Sequence, residues 1–160
     1  MRRLSLYAFI ITLAWLCFVI AIAFIEAPLK FHALGLKKPW TEVTTELKNA
    51  VTIGYHSFHN LNFIEWVCCA FSWLLALRVR VVRARGAMIL LAGVTAILAM
   101  ETWLLLPALD GRVRSILQGT LPLETWHHHA WIIADSIKVA LLAVIFAMQT
   151  QSFARAVISE

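Results

Sequence analysis

Four long apolar stretches constrain the fold of this chain more than any other feature. They cover residues 6–27, 61–77, 87–106 and 130–148. Each has about the length, 17–25 residues, with which a helix crosses a hydrocarbon core of ~30 Å. The strands of a membrane barrel would alternate apolar and polar residues, which these stretches do not. The sequence therefore predicts one all-α domain over residues 1–160, an integral membrane four-helix bundle in up-down-up-down order.

Composition supports the same class of protein. Apolar residues make up 61% of the chain, against about 45–50% in soluble domains. The net charge is +5, but the basic residues flank the apolar stretches and form no continuous patch, so the lipid bilayer and not nucleic acid is the expected partner. The three cysteines lie within apolar stretches without a C-x-x-C spacing, which argues against thiol redox chemistry.

The two longer loops carry helical patterns of their own. Thr41 is a candidate N-cap, and Leu47 and Val51 follow at helical spacing. In the other loop, Pro107 and Gly111 predict that the third membrane helix ends there, with a further amphipathic turn or two after it. We therefore predict short interfacial helices in both loops.

Basic residues also predict the orientation. One side of the bundle carries a dense set in short segments, namely Arg2, Arg3, Arg78, Arg80, Arg83, Arg85 and Arg155. The positive-inside rule then places both termini in the cytoplasm, across a bacterial inner membrane. Ala21 and Ala23 would also fit a signal-peptide cleavage site, but the apolar run before them exceeds the usual 7–15 residues, so we expect it to be retained as a span.

The second stretch carries a regular polar stripe. Steps of 3, 3, 4 and 3 residues place on one helical face His59, Asn62, Glu65, Cys69 and Ser72. Such a stripe on a membrane helix should face the interior of the bundle. Adhesion between helices through hydrogen bonds is the alternative explanation.

The fourth stretch shows a second stripe. Steps of 4, 3, 4 and 3 residues place on one face Glu124, His128, Trp131, Asp135 and Lys138. Asp135 and Lys138 stand three apart and can pair directly, which is the usual condition for charges at membrane depth. A pair that only locks helix packing would explain these two residues equally well.

Acidic residues from all four stretches fall at a similar predicted depth. With a rise of about 1.5 Å per residue, the outer third of the bilayer would contain Glu26, Glu65, Glu101 and Asp135. If all of them are ionised, the three carboxylates of Glu65, Glu101 and Asp135 together with the Lys138 ammonium carry a net charge of −2. Protonation of some carboxyl groups, a bound cation, or a charged residue folding down from an outer loop could resolve this charge. The loop candidates are Lys30, Arg112 and Arg114, with Asp110 beside them.

Carboxylates from facing helices together with histidine are how metal sites in helical bundles are built. The candidate metal ligands are His59, Glu65, Glu101, His128 and Asp135. Oxygen and nitrogen ligands suit zinc, manganese or iron. The Glu-x-x-His pair typical of bundle metal sites is missing from the chain, so whether a metal binds stays open.

Seven tryptophans fit the aromatic belts of a membrane protein. We expect Trp15 and Trp73 near the inner boundary and, near the outer boundary, Trp40, Trp66, Trp103, Trp126 and Trp131. Both groups are interpreted as interfacial anchors.

Three short motifs resemble small, poorly characterised bacterial four-helix membrane proteins. They are "IEAPLKF" after the first stretch, "ETWLLLPALDGR" and "HHHAWIIADSIK". The resemblance implies a shared outer-side feature made of Glu26, Lys30, Glu101, Asp110, Arg112, Asp135 and Lys138. It implies no activity and no catalytic residue.

The function expected from these patterns is binding, or a transport-related role, for a cation, a proton or a small polar ligand. Glu65, Glu101 and Asp135 would hold the ligand, with Lys138 as counter-charge, and with Glu26 and Asn62 nearby. One alternative is a small structural subunit or assembly factor of a larger membrane complex, and another is a membrane-embedded metal-dependent enzyme. The chain could also form homo-oligomers.

Overall fold

The computed structural model describes residues 2–36, 40–78, 85–122 and 126–158. Within these ranges all regular structure is helical, which confirms the all-α prediction. Three residues used in the sequence argument, Arg80, Arg83 and Glu124, lie outside the described residues.

Two of the four long helices are unbroken α-helices. Helix α2 covers Thr45–Arg78 and helix α4 covers His127–Ile158. With 34 residues, α2 is about 51 Å long at a rise of 1.5 Å per residue. It is therefore considerably longer than a hydrocarbon core of about 30 Å.

The other two long helices each contain a π-helical segment. Helix α1 is α-helical over Arg2–Val19, π-helical over Ile20–Glu26 and α-helical again over Ala27–Ala33. Helix α3 follows the same order, with α-helix over Arg85–Met100, π-helix over Glu101–Leu105 and α-helix over Leu106–Leu117.

All four helices are long and apolar enough to cross a membrane, which is consistent with an integral membrane protein. They contain the four predicted stretches, and three of them extend well beyond these. The prediction of separate interfacial helices is wrong in both loops. In the first loop, α2 begins at Thr45, directly after Thr44, whose hydroxyl accepts a hydrogen bond from the Leu47 N–H at 3.1 Å. In the second loop, Leu106–Leu117 continues α3.

The π-helical segments explain why the two prolines do not end their helices. Pro28 and Pro107 each lie two residues after the end of a π-helical segment, at the second position of the next α-helical part. The N–H of Leu106 donates to the carbonyl of Glu101, five residues earlier. A proline ring clashes with the carbonyl four residues before it in a regular α-helix, and the wider π turn gives the ring room.

The helices pack so that α1 and α3 each contact both α2 and α4. Fully buried apolar side chains, among them Val19, Leu61 and Leu142, fill the centre. Large apolar side chains also point outward, and Phe63 and Leu104 are each more than 60% exposed. This apolar perimeter suits contact with acyl chains, because acyl chains offer no hydrogen bonds to exposed polar groups.

Candidate functional site

Three carboxylates and one ammonium group meet in the centre of the bundle. Glu65 comes from α2, Glu101 from α3, and Asp135 and Lys138 from α4, and all four are fully buried. The Lys138 Nζ lies 2.8 Å from Glu65 Oε1, 2.5 Å from Glu101 Oε2 and 2.8 Å from Asp135 Oδ1. We call these four residues the acidic cluster. It brings together the buried charges that the sequence places at one depth.

Helix α1 contributes a tryptophan to the acidic cluster. The Trp15 indole Nε1 donates to Glu65 Oε1 at 3.0 Å, and the side chain is fully buried. Its interpretation as an interfacial anchor is therefore wrong, and so is that of Trp131, which is 2% exposed. A signal was present in the sequence, because an indole N–H in the middle of an apolar helix needs an acceptor from another helix.

The hydrogen bonds inside the acidic cluster are incomplete. Glu101 Oε1 and Asp135 Oδ2 are buried and receive no hydrogen bond from the described protein. Asp135 Oδ1 lies 2.8 Å from Lys138 Nζ, three residues along the same helix, and forms an ion pair with it. Three carboxylates against one ammonium also leave a net charge of −2 if all are ionised. The cluster therefore has fewer positive charges than carboxylates, and fewer hydrogen-bond donors than its buried oxygens can accept.

This arrangement has the chemistry to hold an additional positive charge. One oxygen from each of Glu65, Glu101 and Asp135 can be chosen so that all three lie within 4.8 Å of one another. Carboxylate oxygens are ligands for hard cations, and they also accept protons. Because the Lys138 ammonium already contacts all three carboxylates, a metal ion would have to displace it or bind beside it at the oxygens without a donor.

Glu26 lies apart from the acidic cluster. Its carboxylate accepts hydrogen bonds from Lys30 Nζ at 3.2 and 3.3 Å and from the Ser57 hydroxyl at 3.3 Å. The Glu26 side chain is 34% exposed. The cluster thus contains the acids of three helices, and the acid of the first helix forms a separate ion pair.

The first three residues of the polar stripe on α2 have three different partners. His59 Nε2 lies 3.0 and 3.2 Å from the two carboxylate oxygens of Asp110. One turn further along, Asn62 donates to the Thr102 hydroxyl at 2.9 Å. Of these stripe residues, Glu65 alone joins the acidic cluster. The structure therefore assigns His59 and Asn62 to contacts between α2 and α3.

The remaining candidates lie at one end of the bundle. His128 and Arg112 line a cavity there, whereas Arg114 is exposed on the surface of α3. Among the described residues, the group with metal-binding geometry consists of three carboxylates, Glu65, Glu101 and Asp135. The two histidines of the predicted metal set are not part of it.

No family model, no curated protein and no solved structure matches this chain.

Proposed function

We propose that this chain is an integral membrane protein that binds a cation at its acidic cluster. The observation that carries this proposal is a fully buried site with three carboxylates, one ammonium group and two carboxylate oxygens, Glu101 Oε1 and Asp135 Oδ2, without a hydrogen-bond donor. Placing an uncompensated charge at membrane depth costs several kcal/mol, about 2.5–3.5 on the most lenient scale. A bound cation would offset that cost.

The cation could be a metal ion or protons, since both supply the missing positive charge. A metal ion would use the free oxygens of Glu101 and Asp135 as ligands. Protons would convert carboxylates into carboxylic acids, which also supplies the missing donors. Elemental analysis detects a metal ion, and infrared spectroscopy detects a protonated carboxyl group. The two sources of positive charge can therefore be distinguished with one set of variants.

The orientation in the membrane is part of the same proposal. One cavity is lined by residues near the end of α1, the start of α2, the end of α3 and the start of α4, which supports an up-down-up-down order. We place this end outside and both termini in the cytoplasm of a bacterial inner membrane, following the positive-inside rule. Seen from outside, the fully buried acidic cluster would then lie below this cavity.

The test compares three variants with the wild-type protein in lipid nanodiscs at neutral pH. Glu101→Gln and Asp135→Asn each remove one carboxylate from the acidic cluster, and Glu26→Gln removes a carboxylate outside it as the matched control. Elemental analysis counts bound metal per chain. Infrared spectroscopy detects the carbonyl band of protonated carboxyl groups. We expect wild type and Glu26→Gln to show the same bound metal or the same protonated-carboxyl signal, and the two cluster variants to lose part of it.

Two results would overturn the proposal. One is a wild-type protein without metal and without protonated carboxyl groups. The other is a cation signal that both cluster variants leave unchanged while Glu26→Gln removes it.

A structural role is the second candidate, and one observation favours it. Lys138 contacts carboxylates from α2, α3 and α4, so the cluster joins three helices, as expected if its charges hold the bundle together. Native mass spectrometry separates the two candidates. Release of the chain alone or as a homo-oligomer with a bound cation favours the first, whereas obligate copurification with a larger complex favours the second.

A further inference from the structure

A small cavity lies inside the half of the bundle that contains the chain termini. Side chains from all four helices line it, and the apolar ones include Leu91 of α3 and Leu142 of α4. The centre of a water molecule can occupy a space of about 10 Å³ in this cavity, and roughly 10–15 Å³ of such space is enough to hold one water. The small cavity therefore has the size of a site for a single very small molecule.

Three polar side chains line the small cavity, namely Thr12 of α1, Ser72 of α2 and Gln149 of α4. Gln149 is only 6% exposed, and its amide oxygen Oε1 is buried without a hydrogen bond from the described residues. The Thr12 hydroxyl donates to the Ala8 carbonyl at 2.9 Å, so its oxygen can still accept a hydrogen bond. Because buried polar groups are normally hydrogen-bonded, the Gln149 oxygen indicates that a donor binds in this cavity.

The charges around the small cavity favour a neutral donor. Among the described residues that line it, none is ionisable. A metal ion would therefore have no counter-charge here, and an uncompensated charge is costly at membrane depth. The acidic cluster cannot supply one directly, since Ser72 follows Glu65 by seven residues, which is about 10 Å along α2. A small neutral molecule that both donates and accepts hydrogen bonds fits the size and the chemistry of the cavity.

We infer that the small cavity binds one water molecule, which joins α1, α2 and α4. The water donates to Gln149 Oε1 and to the Thr12 hydroxyl oxygen, and it accepts a hydrogen bond from the Ser72 hydroxyl. Three hydrogen bonds are the usual number for a buried water. This gives a role to Ser72, the last residue of the polar stripe on α2, and it is independent of cation binding at the acidic cluster.

A crystal structure of the full-length wild-type protein in a lipidic phase, at a resolution of about 2 Å or better, tests the inference directly. We expect a density peak at hydrogen-bonding distance, about 2.7–3.0 Å, from Gln149 Oε1 and from the hydroxyl oxygens of Thr12 and Ser72. The absence of a peak within hydrogen-bonding distance of Gln149 Oε1 would overturn the inference. A peak about 2.4 Å from these oxygens would also overturn it, because that distance is typical of a metal ion.

Two variants of similar shape test whether the water joins the helices. Gln149→Met and Thr12→Val each remove one hydrogen bond to the water, and we expect each to lower the melting temperature by about 2–4 °C. The double variant should lose less than the sum, because both side chains share one partner. Gln151→Met and Thr150→Val are the matched controls, since both residues are exposed and Thr150 also donates to the carbonyl four residues earlier.

A dry cavity predicts the opposite sign for the first variant. Gln149→Met would then remove an oxygen that has no partner, and the melting temperature would rise. Such a rise would overturn the inference, and so would losses that add fully in the double variant. Circular dichroism confirms that each variant is folded, and the wild-type structure decides the outcome if a variant does not fold.

Discussion

At the scale of single residues, the Lys138 ammonium lies 2.5 to 2.8 Å from one oxygen of each of the three carboxylates in the acidic cluster. Glu65, Glu101, Asp135 and Lys138 are predictable because ionisable residues inside apolar stretches are rare and must find partners. Their shared depth follows from counting residues along each helix. Trp15 is harder to predict, because a tryptophan in an apolar run has the same composition signal whether it anchors at the interface or donates inside the bundle. Only its position in the middle of the run favours the second role.

The role of Trp15 leads to a first prediction. Trp15→Phe keeps an aromatic ring but removes the donor to Glu65, and hydrogen bonds to charged groups contribute about 1.5–3 kcal/mol. We expect the free energy of unfolding in detergent to fall by about that amount. The matched control is Trp103→Phe, because Trp103 is 67% exposed and its replacement should change stability by less than about 0.5 kcal/mol. Equal losses in the two variants would contradict the role of the Trp15 hydrogen bond.

The histidines show where residue spacing is insufficient. The sequence predicts that His59 and His128 join the carboxylates, because they share a helical face with Glu65 and Asp135. A helical face extends along the whole helix, and six or seven residues amount to about 9–10 Å. His59 therefore meets Asp110 on α3 instead, which depends on how far α3 continues past its proline.

At the scale of elements, the number and type of the helices were predictable, and their ends were not. Apolar length identifies the four spans, but α2 begins well before its apolar part, and α3 continues beyond Pro107. Proline is a helix breaker in most sequence contexts. The π-helical segment that accommodates it is not visible in the sequence, because it depends on which carbonyl each N–H reaches.

Two glycines in the extended parts of these helices give a second prediction. Both lie inside helices, where replacement of glycine by alanine stabilises by up to about 1 kcal/mol. A Cβ at Gly111 has open space around it, whereas at Gly54 it meets Lys30 Nζ at 3.1 Å. We expect Gly111→Ala to raise the melting temperature, and Gly54→Ala to raise it less or to lower it. A larger gain for Gly54→Ala would show that Lys30 does not lie across α2.

At the scale of the whole molecule, the perimeter is apolar, and the interior contains the buried charged groups among apolar side chains. Apolar side chains face outward, and the fully buried residues include four charged side chains. This distribution suits a bilayer, in which the surrounding solvent offers no partner for a polar group. The class of protein could therefore be predicted from composition, whereas the cavity at the end of the bundle could not, because its residues come from four separate segments of the chain.

The orientation leads to a third prediction. In a variant without Cys17, Cys68 and Cys69, a new cysteine at Gln118 should react with a membrane-impermeant maleimide added to intact cells or spheroplasts. A new cysteine at Ile89 should not react, although Ile89 is 63% exposed outside the bundle, because lipid would cover it. Labelling at both positions would argue against membrane insertion, and labelling at Gln118 only after lysis would reverse the orientation.

The central claim is that the buried charges of three helices share one site, and a stability cycle tests it most directly. Lys138→Met alone leaves three buried carboxylates without their cation, and removing one partner of a buried pair costs about 3–5 kcal/mol. Combining it with Glu65→Gln, Glu101→Gln and Asp135→Asn removes the charges that need Lys138. We predict that this combined variant regains most of the free energy of unfolding lost in Lys138→Met, because the effects of substitutions on stability are not additive for residues in one network. A combined variant that loses the sum of the separate effects would contradict a shared site.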